Sequence, residues 1–408
     1  MNTIKLFLTI ALIGLNSINV TGESSYIFYH LSTEDGLSNN SVKAILRDSY
    51  GFLWVGTEFG LNRYDGYSFK TYLAQPKIHS TLTANNILGL QEDGLKNIWI
   101  DCGNTYVVYN REKDNFITDI NIILEKSGIE TNGNRKIYVD KNKNLFVITP
   151  NKIFFYNIAA KKLNIYKPPK FNFSNIEISD DLDNLYIVDS KDFCWQMEKK
   201  SGELKKMALP TVSDFNYENK RTKIFADSGG SLWLYCGKDE YVYFRQTNSS
   251  LWQKIYLNSS IKSQNSIVSI VEGHNGQVWI ATDHEGLFLY DKSTNIMKNI
   301  TSNSLSQTSI ASNYVASILI DNTGTLWVGH IKNGISFFNE SFQNFMNVQN
   351  DQCRNISRIV ELRNGNVLLG TDGNGLYVSN YKTNDVNKLQ IPNSAITALL
   401  EDKNGKYG

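Results

Sequence analysis

The sequence predicts an all-β chain, and three observations carry that prediction. The first is an internal repeat. Asp48-Ser49-Tyr50-Gly51-Phe52-Leu53-Trp54-Val55-Gly56-Thr57 is echoed by Asp227 to Trp233, by Glu272 to Thr282 and by Asp321 to Gly329. Weaker copies centre on Trp99, Phe146, Tyr186 and Leu368, so the anchors at 54, 99, 146, 186, 233, 279, 327 and 368 stand 40 to 48 residues apart. The second is composition: 22 Tyr, 20 Phe and 7 Trp with 28 Gly among 408 residues favour many short strands joined by turns. The third is that no segment beyond about ten residues shows helical periodicity. Strands throughout, at a period near 45, give the spacing of a β-propeller with four-stranded blades.

The first copy shows how each blade divides. Val42 to Leu46 is the first strand, and Asp48 to Gly51 is a turn with Asp first and Gly fourth, the preferred type I layout. Phe52 to Gly56 and Leu61 to Tyr64 follow, then the Asp65-Gly66 turn and a last strand over Ser68 to Leu73. The sixth copy repeats the scheme in Val268 to Val271, Gln277 to Ala281, Gly286 to Tyr290 and Ile296 to Ile300. A single sheet cannot bury both faces, so the second-strand residues Trp54, Trp99, Trp233, Trp279 and Trp327 are assigned to packing between blades. Tyr26 to Leu31 precedes Leu37-Ser38-Asn39-Asn40 as Ser68 to Leu73 precedes Leu82-Thr83-Ala84-Asn85. It therefore reads as the outer strand of the last blade, closing a ring of seven. The expected organisation is a seven-bladed β-propeller over residues 23–350, with 26–31 as closing strand. Residues 351–408 then begin an incomplete second propeller of one to two blades, with a ninth copy starting at Glu401 and cut off in its turn at Gly405. Such a chain reads as a fragment of a longer product.

Met1 to Lys5 carry one positive charge, Leu6 to Leu15 form an apolar run, and Val20 and Gly22 stand like the small residues of a cleavage site. Residues 1–22 are thus read as a secretory signal peptide, with an uncleaved membrane anchor as the alternative. Without them the 41 Lys+Arg fall to 40 against 40 Asp+Glu, and neither a basic excess nor a basic stripe supports nucleic-acid binding. The four cysteines are expected as buried free thiols, because Cys102 and Cys236 occupy equivalent positions in non-adjacent repeats, too far apart to bridge.

Antiparallel order puts the loop entering each first strand and the loop between second and third strands on one face. The entering loops hold Asn39, Asn40, Asn85, Asn86, Asn265 and Asn313, whose side chains are expected chiefly to satisfy turn backbone. The other loops hold Glu58, Asp101, Asp283, His284, Glu285, His330 and Lys332. Closure at seven would bring Glu58, Asp283, His284, Glu285, His330 and Lys332 onto one arc, a polar rim suited to hydroxyl-rich ligands. Asp48, Asp227 and Asp321 lie on the opposite face and are assigned a structural role. No catalytic set, metal site or cofactor is expected: His284 and His330 lack ligand spacing.

Glu34-Asp35-Gly36-Leu37-Ser38-Asn39-Asn40-Ser41-Val42, followed by Asp48, Gly51, Trp54-Val55-Gly56-Thr57, Gly60-Leu61 and Tyr64-Asp65-Gly66, resembles the two-component regulator propeller repeat. Asp321, Gly324 and Trp327-Val328-Gly329 resemble it again, as does Gly370-Thr371-Asp372-Gly373-Asn374-Gly375-Leu376. The resemblance implies the periplasmic sensor half of a Bacteroidetes hybrid histidine kinase that responds to glycan fragments. Its implied partners are an oligosaccharide and the remainder of a dimeric hybrid sensor kinase, anchored in the inner membrane. Kinase activity would belong to the longer parent, and this chain is expected not to be an enzyme. Two other readings stay open: a propeller polysaccharide lyase or glycosidase, which needs paired carboxylates or a Tyr/His base, and a protein-interaction scaffold.

Overall fold

The computed structural model describes residues 26–408 apart from 76, 104, 131–132, 169–175, 190–193, 211–221, 237–240, 258–265, 274–275, 340, 342–354, 381–385, 390, 392–394, 404–405 and 407–408. The expected signal peptide and Asn265 therefore lie outside the described residues. Two compact units divide the chain, one over Ile27–Ser341 and one that includes Phe342–Gly408. The first holds seven four-stranded antiparallel sheets, over 42–72, 89–117, 136–166, 177–207, 222–256, 267–300 and 315–338, the last completed by Tyr29–Leu31. We call them blades 1 to 7. The second unit holds one more sheet of four strands, Ile356–Glu361, Val367–Thr371, Leu376–Ser379 and Val386–Lys388. Among the described residues the only α-helix is Asn121–Lys126, in the connection from blade 2 to blade 3.

Ring closure follows from one pairing. Tyr29, His30 and Leu31 lie antiparallel to Phe337, Ser336 and Ile335 of blade 7, and the first strand of blade 1 runs beside the first two strands of that blade. The paired segment is shorter than the expected 26–31. Its partner strand, Ile335–Phe338, has only four residues, and Phe28 leaves the ladder to give its N–H to the Thr308 carbonyl while its ring leans on Phe338.

Glycine in the Trp-Val-Gly motif has a packing cause. A Cβ built on Gly329 would stand 2.6 Å from a Val42 methyl of blade 1, and one on Gly56 would stand 2.5 Å from an Ile87 methyl just ahead of blade 2. The missing side chain lets adjacent blades approach near the axis. In copies 1, 6, 7 and 8 the first strand also carries a register shift at its start, between Val42 and Ala44, Ile267 and Ser269, Val315 and Ser317, and Ile356 and Arg358. An extra residue there sharpens the local twist where each blade enters from the rim.

The repeated Asp and aromatic residue are one device. Asp48 Oδ1 accepts the N–H groups of Tyr50 and Phe52 at 2.9 and 3.0 Å, and Oδ2 accepts the Trp54 indole N–H at 2.8 Å. Asp93 with Trp99 and Asp321 with Trp327 repeat it at 2.8 and 2.9 Å, and Asp227 with Trp233 does so at 3.4 Å. In blade 4 the Tyr186 hydroxyl donates to Asp181 instead, at 2.8 Å. These carboxylates are buried, so each needs its bonds. Blade 3 sets Phe146, which has no donor, opposite Asp140, and blade 6 has Gly273 at the Asp position.

Cations complete the balance at alternate seams. Arg111 of blade 2 reaches Asp48 of blade 1 at 3.0 Å and its own Glu92 at 3.2 Å. Lys199 of blade 4 reaches Asp140 of blade 3 at 3.0 Å and Asp180 at 2.7 Å, and Lys292 of blade 6 reaches Asp227 of blade 5 at 3.0 Å and Glu272 at 3.6 Å. In each even blade the cation follows the third strand directly, and the second acid sits one residue before the turn position. At the closing seam Arg47 of blade 1 meets Asp321 of blade 7 at 3.3 Å. Asp48→Ala would strand the Trp54 indole and two backbone N–H groups and leave Arg111 with Glu92 as its one carboxylate. A loss of about 3 kcal/mol is expected in urea unfolding; an unchanged midpoint would refute the role given to this carboxylate.

Candidate functional site

The upper face is built by the loops between second and third strands, and those of blades 1, 6 and 7 are each tied to the next blade. Gly60, Gly286 and Gly334 give their N–H groups to the carbonyls of Asn85, Asn313 and Asn40, at 2.8, 3.0 and 2.9 Å. The asparagine side chains brace the same loops: Asn85 accepts the Ala74 N–H, Asn313 that of Ser302, Asn40 that of Thr33 and Asn39 that of Ser41. These four have structural partners, and Asn86 is exposed.

Four of the six rim residues lie where a ligand could reach them. Glu58 is exposed and pairs with Lys43 at 2.9 Å. Lys43, with a smaller contribution from the neighbouring Lys332, holds the Glu58 carboxyl below the usual range. Lys332 is exposed across the closing seam. Asp283 accepts the Ser266 N–H at 2.6 Å and binds His284 Nδ1 at 2.8 Å, so the imidazole is held upright, and its edge meets the Tyr314 ring with centroids 5.3 Å apart.

The other two are not on the surface. Glu285 is 3% exposed and His330 is fully buried. His330 ends its strand, with Nε2 2.7 Å from Ser336 Oγ, and Glu285 stays within its loop, its backbone N–H given to the Thr282 hydroxyl. Ser336 faces His30 across the closing pair, with His30 Nδ1 at 3.1 Å from the same hydroxyl. The His330 position supports ring closure instead of a ligand.

The inner rim adds a group that the sequence did not single out. Lys136 reaches Asp101 at 3.4 Å. Burial opposes its charge, but Tyr106, Asp101 and Glu177 outweigh that and hold the ammonium above the usual lysine value. The available signal was a lysine at the start of a first strand, where strong copies carry Val or Ile. The face thus offers fixed charges, amides and aromatic edges. Among the described residues no three His, Cys, Asp or Glu side chains gather as a metal site. Cys102, Cys194 and Cys236 are buried free thiols, with the Cys194 thiol pushed up to about 12 by burial; Cys353 lies outside the described residues.

The buried histidine makes closure sensitive to acid. Burial, and then His30, hold the His330 imidazole down to about 3. The unfolded chain takes up a proton near pH 6.5 that the folded chain refuses, so stability is full above that value and falls as pH drops toward 3. Between pH 7 and pH 5 this one group is expected to remove about 2 kcal/mol. His330→Gln should lose that much less over the same interval in urea titrations; equal slopes would overturn the assignment.

Comparison with known proteins places these features. The family model described as two component regulator propeller matches residues 36–59 and 261–284. A segment of 60 residues is 42% identical to histidine kinase P4 of Formosa agariphila, covering 15% of this chain and 4% of that protein. The extracellular domain of the putative hybrid two component system BT3049 from B. thetaiotaomicron is similar in structure over 94% of this chain and 52% of its own, with a TM-score of 0.59 and 24% identity. The extracellular domain of BT4673 from the same organism matches over 94% and 51%, with a TM-score of 0.59 and 19% identity. YCF48 from Cyanidioschyzon merolae, at 11% identity and a TM-score of 0.53, covers 77% of this chain and 99% of its own. The chain spans about half the length of the two B. thetaiotaomicron domains and a small part of the kinase. Two stretches of the chain thus match the two component regulator propeller model, and its all-β propeller fold is similar to that of these extracellular domains.

Proposed function

We propose that the propeller over residues 27–341 is the periplasmic sensing part of a hybrid two-component system, exported by residues 1–22, that detects glycan fragments and passes the signal by protein contact to a histidine kinase. The observation that supports it best is the arc across blades 6, 7 and 1. There Asp283, His284, Lys332 and Glu58 present fixed polar groups beside the Tyr314 ring and the exposed Phe59. Such a surface matches sugar hydroxyls with oriented partners and sugar faces with flat rings. Residues 351–408 are read as the beginning of a second propeller, which would share in presenting or relaying the ligand.

A panel of neutral oligosaccharides followed by thermal shift and product analysis tests this reading. A raised midpoint without turnover is expected, since a ligand at 100 times its Kd adds about 2.7 kcal/mol to the folded state. His284→Ala and Glu58→Ala should each weaken calorimetric affinity by about tenfold. New reducing ends or unsaturated products would mark an enzyme, and unchanged affinity in both variants would remove the rim from the site.

A further inference from the structure

The lower face carries a cleft at the one seam where the cation pattern is replaced by an uncommitted arginine. Seams 1–2, 3–4 and 5–6 are filled by Arg111, Lys199 and Lys292. At seam 4–5 the acid position holds Ala226, and the position after the third strand holds Gln246. A cleft of about 460 Å³ remains there, with Asp181, Asp183, Tyr186, Gln196, Arg245 and Asn248 in its walls. That volume lies within the usual small-molecule range of about 300–1,000 Å³.

Arg245 ends the third strand of blade 5, Tyr241–Arg245, and is half-buried. Its guanidinium packs on the Trp252 ring, 5.2 Å from the centroid, and the Trp252 indole N–H is itself held by the Ala208 carbonyl at 3.2 Å. Among the described residues of this unit, Arg47, Arg63, Arg111 and Arg135 each have a hydrogen-bond or ion-pair partner, whereas Arg245 has neither. Stacking therefore positions the group and leaves its fork of N–H donors open to a planar anion. The opposite wall supplies acceptors. Asp181 is engaged by the N–H groups of Asp183 and Asn184 and by the Tyr186 hydroxyl, while Asp183 is exposed at the mouth.

An ammonium plug like those of the other seams would meet Arg245, and a multiply charged phosphate would meet two aspartates. A monoanion that also carries several O–H donors fits both walls. We propose that this cleft binds a hydroxylated carboxylate of the uronic acid class, its carboxylate on Arg245 and its hydroxyls on Asp183 and the neighbouring amides. The saccharide class rests on the sensing function proposed above; the anion preference rests on Arg245 alone.

Calorimetric titration of the full chain with galacturonate, galactose and succinate tests it. Galacturonate should bind at least about tenfold more tightly than galactose. Arg245→Gln should lose that difference, and Arg245→Lys, which keeps charge without the fork, should recover only part of it. Should Arg245→Gln fail to fold, Gln196→Glu provides the second test, by weakening galacturonate while sparing galactose. Equal binding of the two sugars, or an Arg245→Gln titration like the parent's, overturns the proposal. Silence toward galacturonate with a response to the neutral panel ends this inference and leaves the sensing function standing. Succinate bound through Arg245 with every saccharide silent ends the sensing function and the uronate assignment together.

Discussion

A buried carboxylate must be matched, and the ring is organised around how each turn aspartate is matched. The first charge-neutral partner is local: an indole or phenol from the second strand, six or five residues on, together with turn N–H groups. Local bonds leave a full negative charge inside the seam, and at Asp48, Asp140, Asp227 and Asp321 a cation from the adjoining blade balances it. Lys199 shows the tightest case, a buried ammonium held between Asp140, Asp180 and the Asp181 carbonyl. Such a triad contributes little net stability beyond what apolar packing would, but removing any member is costly. Its value lies in fixing which blade sits beside which.

Alternation of these triads gives the ring a period of two blades. Blades 1–2, 3–4 and 5–6 are joined by charge, and blade 7 is joined to blade 1 by Arg47 and Asp321. Seam 2–3 lacks such a triad but carries two longer pairs, Lys136 with Asp101 at 3.4 Å and Lys143 with Glu92 at 3.7 Å. Ile158 of blade 3 stands 3.2 Å from where a Cβ of Gly94 would lie, at seam 2–3, and seams 4–5 and 6–7 retain clefts. Space for a ligand thus appears where the ionic filling is absent.

Much of this was legible in the sequence. The Trp series, the Asp and Gly of the turn and the pairing role of the segment near Leu31 follow from spacing, because each recurs at a fixed place in the repeat. The cation pattern is hard to read because it recurs only in every second copy: Arg111, Lys199 and Lys292 look unrelated until the strands are aligned. His330 and Glu285 were misplaced for a different reason. Each is a polar residue in or beside a loop, and only the folded chain shows His330 against Ser336 and Glu285 buried.

The hook that shuts the ring is three residues long, and His30 meets Ser336 across 306 positions of sequence. Contacts at that separation carry nearly the largest chain-entropy cost the polypeptide can present, so they form late. As the chain threads outward from its amino end, the segment that will seal the circle emerges first and waits for the final blade. Until then blades 1 and 7 each present a bare flank, and a neighbouring molecule's hook could fill the gap as well as the chain's own. Exchange of that short segment between copies is the natural misassembly of this architecture.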